Sequence, residues 1–135
     1  MIDIDRVRER LGCAACAAFY PRGEGLPPAR FDADSVRKFA AHGIRRVEIG
    51  GYPRAHYDHA DPAYLASLRL AFAEYGVRPV TAHCPDLLRD PFADAAAREA
   101  AIVETTLAAA AARSLGAELM VVHCRPHREG VNTMR

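Results

Sequence analysis

The stretch Tyr75-Gly-Val-Arg-Pro-Val-Thr-Ala-His-Cys-Pro85 sets the architecture of this chain. Its glycine separates two periodicities. Before it, Leu65, Leu68 and Phe72 recur at helical spacing behind Asp61-Pro62. That dipeptide is a strong helix start, because aspartate caps and proline fits the first helical position. A glycine just past a helix takes the left-handed conformation that closes it without a Cβ clash. After it, residues 77–85 read as a strand.

The same unit recurs. Gly12, Gly43, Gly76 and Gly116 each follow a helix-like segment and precede a strand-like one, at intervals of 31, 33 and 40 residues. Asp32 is expected to cap a helix carrying Val36, Phe39 and Ala40. Asp94 is expected to cap one running through Ile102, Val103 and Leu107 to Leu115, and a weaker helix covers Asp5 to Leu11. Each reads as a one-sided helix lying against a sheet. Strands are expected at 13–20, 45–52, 77–85 and 118–126. The last holds Leu119-Met-Val-Val122, a continuous apolar run of the kind buried on both faces. Helix and strand thus alternate four times. Crossover helices imply parallel strands with right-handed connections. The expectation is a single α/β domain over residues 1–135, either doubly wound or part of a (β/α)8 barrel.

Composition narrows the function classes. The chain has 135 residues, half of them hydrophobic, and 18 basic residues balance 17 acidic ones. A globular core is affordable at that size, and no bulk field favours nucleic acid or a membrane surface. The apolar helix around Ala93 to Ala112 contains Arg98, Glu99 and Glu104, too polar to span a bilayer. The start lacks the layout of a signal peptide, so a cytoplasmic protein with reduced thiols is expected. No dinucleotide fingerprint, phosphate loop or nucleophile elbow occurs.

Counting from each glycine aligns the strand ends. Seven residues on lie Phe19, Gly50, His83 and His123, and five on lie Ala17, Glu48, Thr81 and Val121. Offsets of five and seven share one face of a strand. Glu48, His83 and His123 are therefore expected on equivalent faces near the strands' carboxyl ends, where parallel α/β folds build their sites. A strand histidine can be a satisfied polar residue or a ligand. Glu48 can pair with a neighbouring arginine or serve the site, since a buried carboxylate is costly unless paired or bound to metal. His56-Tyr-Asp-His59, with Arg54, forms a loop after the second strand that either closes over substrate or is a solvated polar loop. Cys84 and Cys124 each follow a histidine and should face the helix layer. Cys13-Ala-Ala-Cys16 lies in an expected strand, which suits neither a zinc site nor a redox pair.

Three segments carry a family likeness: His42-Gly-Ile-Arg-Arg-Val-Glu-Ile49, Tyr75-Gly-Val-Arg-Pro-Val-Thr-Ala-His-Cys-Pro85 and Leu115-Gly-Ala-Glu-Leu-Met-Val-Val-His123. They resemble, in order, the glycine-led "V-E-I/L", "H-x-P" and "V-V-H" strands of the sugar phosphate isomerase/epimerase family. Those are xylose isomerase-like TIM barrels, a superfamily that includes the AP endonucleases.

The resemblance implies a divalent metal (Zn, Mn or Mg) and a sugar or polyol substrate. It implies His83 and His123 as metal ligands, as in the endonuclease branch. Glu48 matches a common pocket residue; with His56 and His59 it makes up the expected substrate-binding set. Family chemistry moves a proton between adjacent carbons by means of a carboxylate base and a metal-stabilised enediolate. The family's main metal carboxylates and bases lie on strands after the fourth, whereas this chain ends at Arg135. A full barrel takes about 250 residues. The expectation is thus an amino-terminal fragment, four of eight units, inactive alone and without an assigned catalytic residue. Two alternatives stand beside it. One is a non-catalytic half-barrel that binds or assembles, as a homodimer or with a missing carboxyl-terminal half. The other is an AP endonuclease-like hydrolase, disfavoured by the lack of a basic stripe.

Overall fold

A computed structural model describes residues 12–15, 30–85 and 94–122. In chain order the elements are β1 (Cys13–Ala14), α1 (Ala33–Ala41), β2 (Arg46–Gly50), α2 (Pro62–Tyr75), β3 (Arg78–His83), α3 (Ala95–Ser114) and β4 (Leu119–Val121). The strands form one sheet in the order β1-β2-β3-β4, and every pairing is parallel. The architecture is therefore α/β, with helices interleaved between parallel strands. The expected helix near Asp5, Cys16 and the strand residues beyond 15 and 122 lie outside the described residues.

Each helix begins at its aspartate. Asp32 accepts from the Ser35 amide, and the Ser35 hydroxyl accepts from the Asp32 amide, a reciprocal capping box. Asp61 accepts from Ala63 and Tyr64 with Pro62 in the first turn, and Asp94 accepts from Ala97. Each such cap contributes about 1 kcal/mol. Gly76 closes α2 in the left-handed conformation. These contacts lie within three residues of the cap, which is why local sequence encodes them.

Helices cover one face of the sheet. Val47 and Ile49 of β2 are fully buried there with Val36 and Phe39 of α1 and Leu68 and Phe72 of α2. Phe31, just before α1, sits among them.

α3 departs from expectation. Ile102 and Val103 are 59% and 52% exposed, and Leu107 is exposed as well. Ala97, Ala108, Ala111 and Ala112 are its buried residues, with Leu115 just beyond its end. Residues 97, 108, 111, 112 and 115 share one helical face. Small side chains let a helix approach its neighbours closely, so the alanine stripe, not the bulkier one, is the packed face.

β3 contains a proline and a register shift. Val47 pairs with Pro79, but Glu48 pairs with Thr81, so Val80 is the extra residue of a bulge. Proline has no N–H to give to a ladder, and bulges are where sheets accommodate it. The shift matters for the site. Without it Thr81 would stand opposite Ile49 and face the helices. With it, Thr81 and His83 join Glu48 on the opposite face.

Candidate functional site

Glu48 is the third of five residues in β2, and His83 is the last of β3. Alternation turns Glu48 away from Val47 and Ile49, which point to the helices. Its carboxylate meets two side chains of β3. His83 Nδ1 lies 3.0 Å from Glu48 Oε1, and the Thr81 hydroxyl donates to Oε2 at 3.3 Å. Glu48 and His83 both keep about a third of their side chains open to solvent. Beside them lies an open concavity of about 280 Å³, lined by Gly12, Cys13, Ala14, Glu48, Val80 and Thr81.

The Gly50-Gly51 pair that follows shapes this end of the sheet. Both have positive φ, +78° and +76°. A Cβ at Gly50 would lie 2.4 Å from the His83 carbonyl oxygen, and one at Gly51 would lie 2.9 Å from the His83 Cβ. The glycines let β2 and its following loop press directly on His83. Sequence patterns excluded a nucleotide loop here but held no signal for this packing role.

Pairing also refines the expected alignment of strand ends. Gly50, His83 and Val121 are partners across β2, β3 and β4, and Thr81 pairs with Leu119. Counting from glycines matches β2 to β3 but runs two residues ahead on β4. His123 lies outside the described residues, as does Cys124. Cys84 faces α3, its sulfur 3.6 Å from the Thr105 hydroxyl.

The loop histidines occupy a different place from Glu48 and His83. His59 is buried, its Nε2 2.8 Å from Glu104 Oε1 on α3. Arg54 donates to the other oxygen of the same carboxylate at 2.6 Å. His56 is half-buried, and its backbone carbonyl accepts from the Phe31 amide. Sequence reading placed Arg54 and His59 in one loop but had no means to find Glu104, which is 45 residues from His59.

Chemically, the Glu48–His83 pair can hold and move a proton or orient a ligating imidazole. Among the described residues no group of three histidine, cysteine, aspartate or glutamate side chains is placed to hold a metal ion. No described helix is long and apolar enough to cross a membrane. The chain matches no protein-family model and no curated protein sequence.

Proposed function

We propose that this chain is the amino-terminal half of a divalent-metal-dependent sugar or sugar phosphate isomerase/epimerase, built as four units of a (β/α)8 barrel. The observation that carries the reading is the Glu48–His83 pair with Thr81, on adjacent parallel strands beside an open concavity. In this reading His83 is a metal ligand through Nε2, which holds the lone pair when Nδ1–H donates to Glu48. A ligating histidine ordinarily gives its other N–H to a carboxylate, which sets tautomer and ring orientation.

The described residues fall short of a complete metal site, since catalytic zinc sites use three protein ligands. The remaining ligands of the reading are His123 and acidic residues on later strands. A bound Zn, Mn or Mg ion would hold the oxygens of a sugar or polyol and stabilise enediolate charge. Glu48 orients His83, and Glu48 and Thr81 line the substrate concavity. His56 and His59 contribute through the loop that carries them. The proton-transfer base belongs to the later strands, so the chain alone is expected to be inactive.

Equilibrium dialysis with Zn²⁺, Mn²⁺ or Mg²⁺ tests this. The chain should bind weakly. His83→Ala should abolish binding, and Glu48→Gln should weaken it by about ten- to a hundredfold, the range for partners that orient a ligand. Unchanged binding in His83→Ala removes that residue from the site and the reading with it.

One observation favours an assembly role as a second reading. On the face shared with His83, Leu119 and Val121 are 68% and 38% exposed. Contiguous exposed apolar surface beside a parallel sheet edge favours association. Light scattering separates the readings: a soluble symmetric dimer supports assembly, and irregular aggregates support a fragment.

A further inference from the structure

A second polar cluster, where the β2–α2 loop meets α3, lies apart from the Glu48–His83 pair. The loop leaves β2 at Gly51, against His83, and enters α2 at Pro62. Two of its side chains cross to α3 and converge on Glu104. Arg54 reaches Oε2, with a longer 3.4 Å contact from Nε to Oε1, and His59 Nε2 reaches Oε1. The His59 side chain is 1% exposed. Its ring stacks on Tyr57, whose ring meets Tyr64 edge-on. Its Nδ1 is buried and has no hydrogen-bond partner among the described residues.

That arrangement suits one protonation pattern. With Nε2–H donating to an ionised Glu104, Nδ1 is only a lone pair, and leaving it unpaired is tolerable. A protonated Glu104 would lose the charge-assisted bonds from Arg54 and His59. That change loosens the contact between loop and helix. What then remains is the Phe31 amide on the His56 carbonyl, the buried Tyr57 against Tyr64, and short-range bonds within the loop: His56 and Tyr57 amides to the Pro53 carbonyl, His59 to Tyr57 and Asp61 to Asp58.

We propose that Glu104 is an acid-released latch that fastens the β2–α2 loop to α3. Among the described residues, the charged or titratable groups facing it are Arg54 and His59 from the loop. Asp58 acts on Arg54, and the Cys84 thiol touches the adjacent Thr105. Partial burial opposes ionisation of Glu104. The hydrogen bonds from Arg54 and His59 and the Arg54 charge outweigh it and hold the carboxyl below its ordinary value of 4.5. A carboxyl depressed in the fold stabilises it fully above the unfolded value, and that contribution disappears as pH falls through the folded one. The latch therefore holds at neutral pH and opens in acid.

Any effect of the latch on the site rests on the reading proposed above. The latch itself rests on loop and helix contacts alone, and metal dialysis of His83→Ala judges that reading separately.

Amide hydrogen exchange tests the latch, with Tyr57, His59 and Asp61 as loop reporters and Ile49 and Ala82 as strand references. From about pH 7 to about pH 3, after correction for intrinsic rates, loop protection should fall by roughly tenfold while strand protection holds. Glu104→Gln should show that tenfold loss already at neutral pH and lose the pH dependence. Arg54→Met, which keeps the His59 contact, should show a smaller loss and retain pH dependence. Loop protection that ignores both substitutions, or that falls only together with the strands, overturns the proposal.

Discussion

Gly50→Ala should destabilise the protein by about 3 kcal/mol or more, the largest effect expected of any single methyl group in the described fold. Two costs add. A non-glycine residue at the +78° φ of Gly50 costs roughly 1–2 kcal/mol by itself. The new Cβ would also fall 2.4 Å from a backbone oxygen of His83, which no rotamer change relieves. β2 and β3 must separate, and the Glu48–His83 contact is lost with them. Gly76→Ala is the control. Its φ is +62°, and a Cβ there meets nothing within 4 Å. It should cost only about 1 kcal/mol. Urea denaturation followed by circular dichroism measures both, and equal losses would show that the close approach on His83 is not a constraint.

Phe31→Ala should cost about 3–5 kcal/mol, the range for emptying an aromatic site in a core. Phe31 is fully buried, with ring centroids 6.4 Å from Phe39 and 6.2 Å from Phe72. It therefore joins the start of α1 to both α1 and α2. Its backbone adds two links. The amide donates to the His56 carbonyl, and its own carbonyl accepts from the Tyr64 hydroxyl. A collapsing cavity would pull on the loop as well as on the helices. Leu70→Ala, at a position 69% exposed, should change stability by less than about 0.5 kcal/mol. Thermal unfolding of the two variants side by side checks the contrast.

Much of the fold is legible along the chain because its signals are local. Asp32, Asp61 and Asp94 each bond an amide two or three residues on, so their roles follow from residue type and position alone. The alternation of β2 is equally local, and it separates Glu48 from Val47 and Ile49. The face of α3 was not legible. Its alanines and its Ile102, Val103 and Leu107 are both apolar, and hydrophobicity favours the larger residues. Which stripe packs depends on the distance available to the neighbouring elements.

The candidate site divides the same way. Glu48 and His83 can be assigned to comparable strand ends from their spacing behind Gly43 and Gly76. Their contact depends on the Val80 bulge, which restores a common face after Pro79 interrupts the ladder. On β4 the spacing rule slips by two residues, because strand stagger is a property of the sheet and not of any one strand. His59 and Arg54 look like a solvated or substrate-facing pair until Glu104 comes across from α3.

The amino-acid sequence by itself determined where helices begin, that helix and strand alternate, and hence that the strands run parallel. Those properties arise from capping, periodicity and chain reversal within a few residues. Only the tertiary structure decided which stripe of α3 is buried, that Glu48 grips His83 and Thr81, and that a buried histidine fastens a loop to a distant helix. Each depends on how far apart two elements settle and in what register. That is a balance of packing and hydrogen bonding between segments far apart in the chain, 33 residues for Glu48 and Thr81 and 45 for His59 and Glu104, to which no local pattern is sensitive.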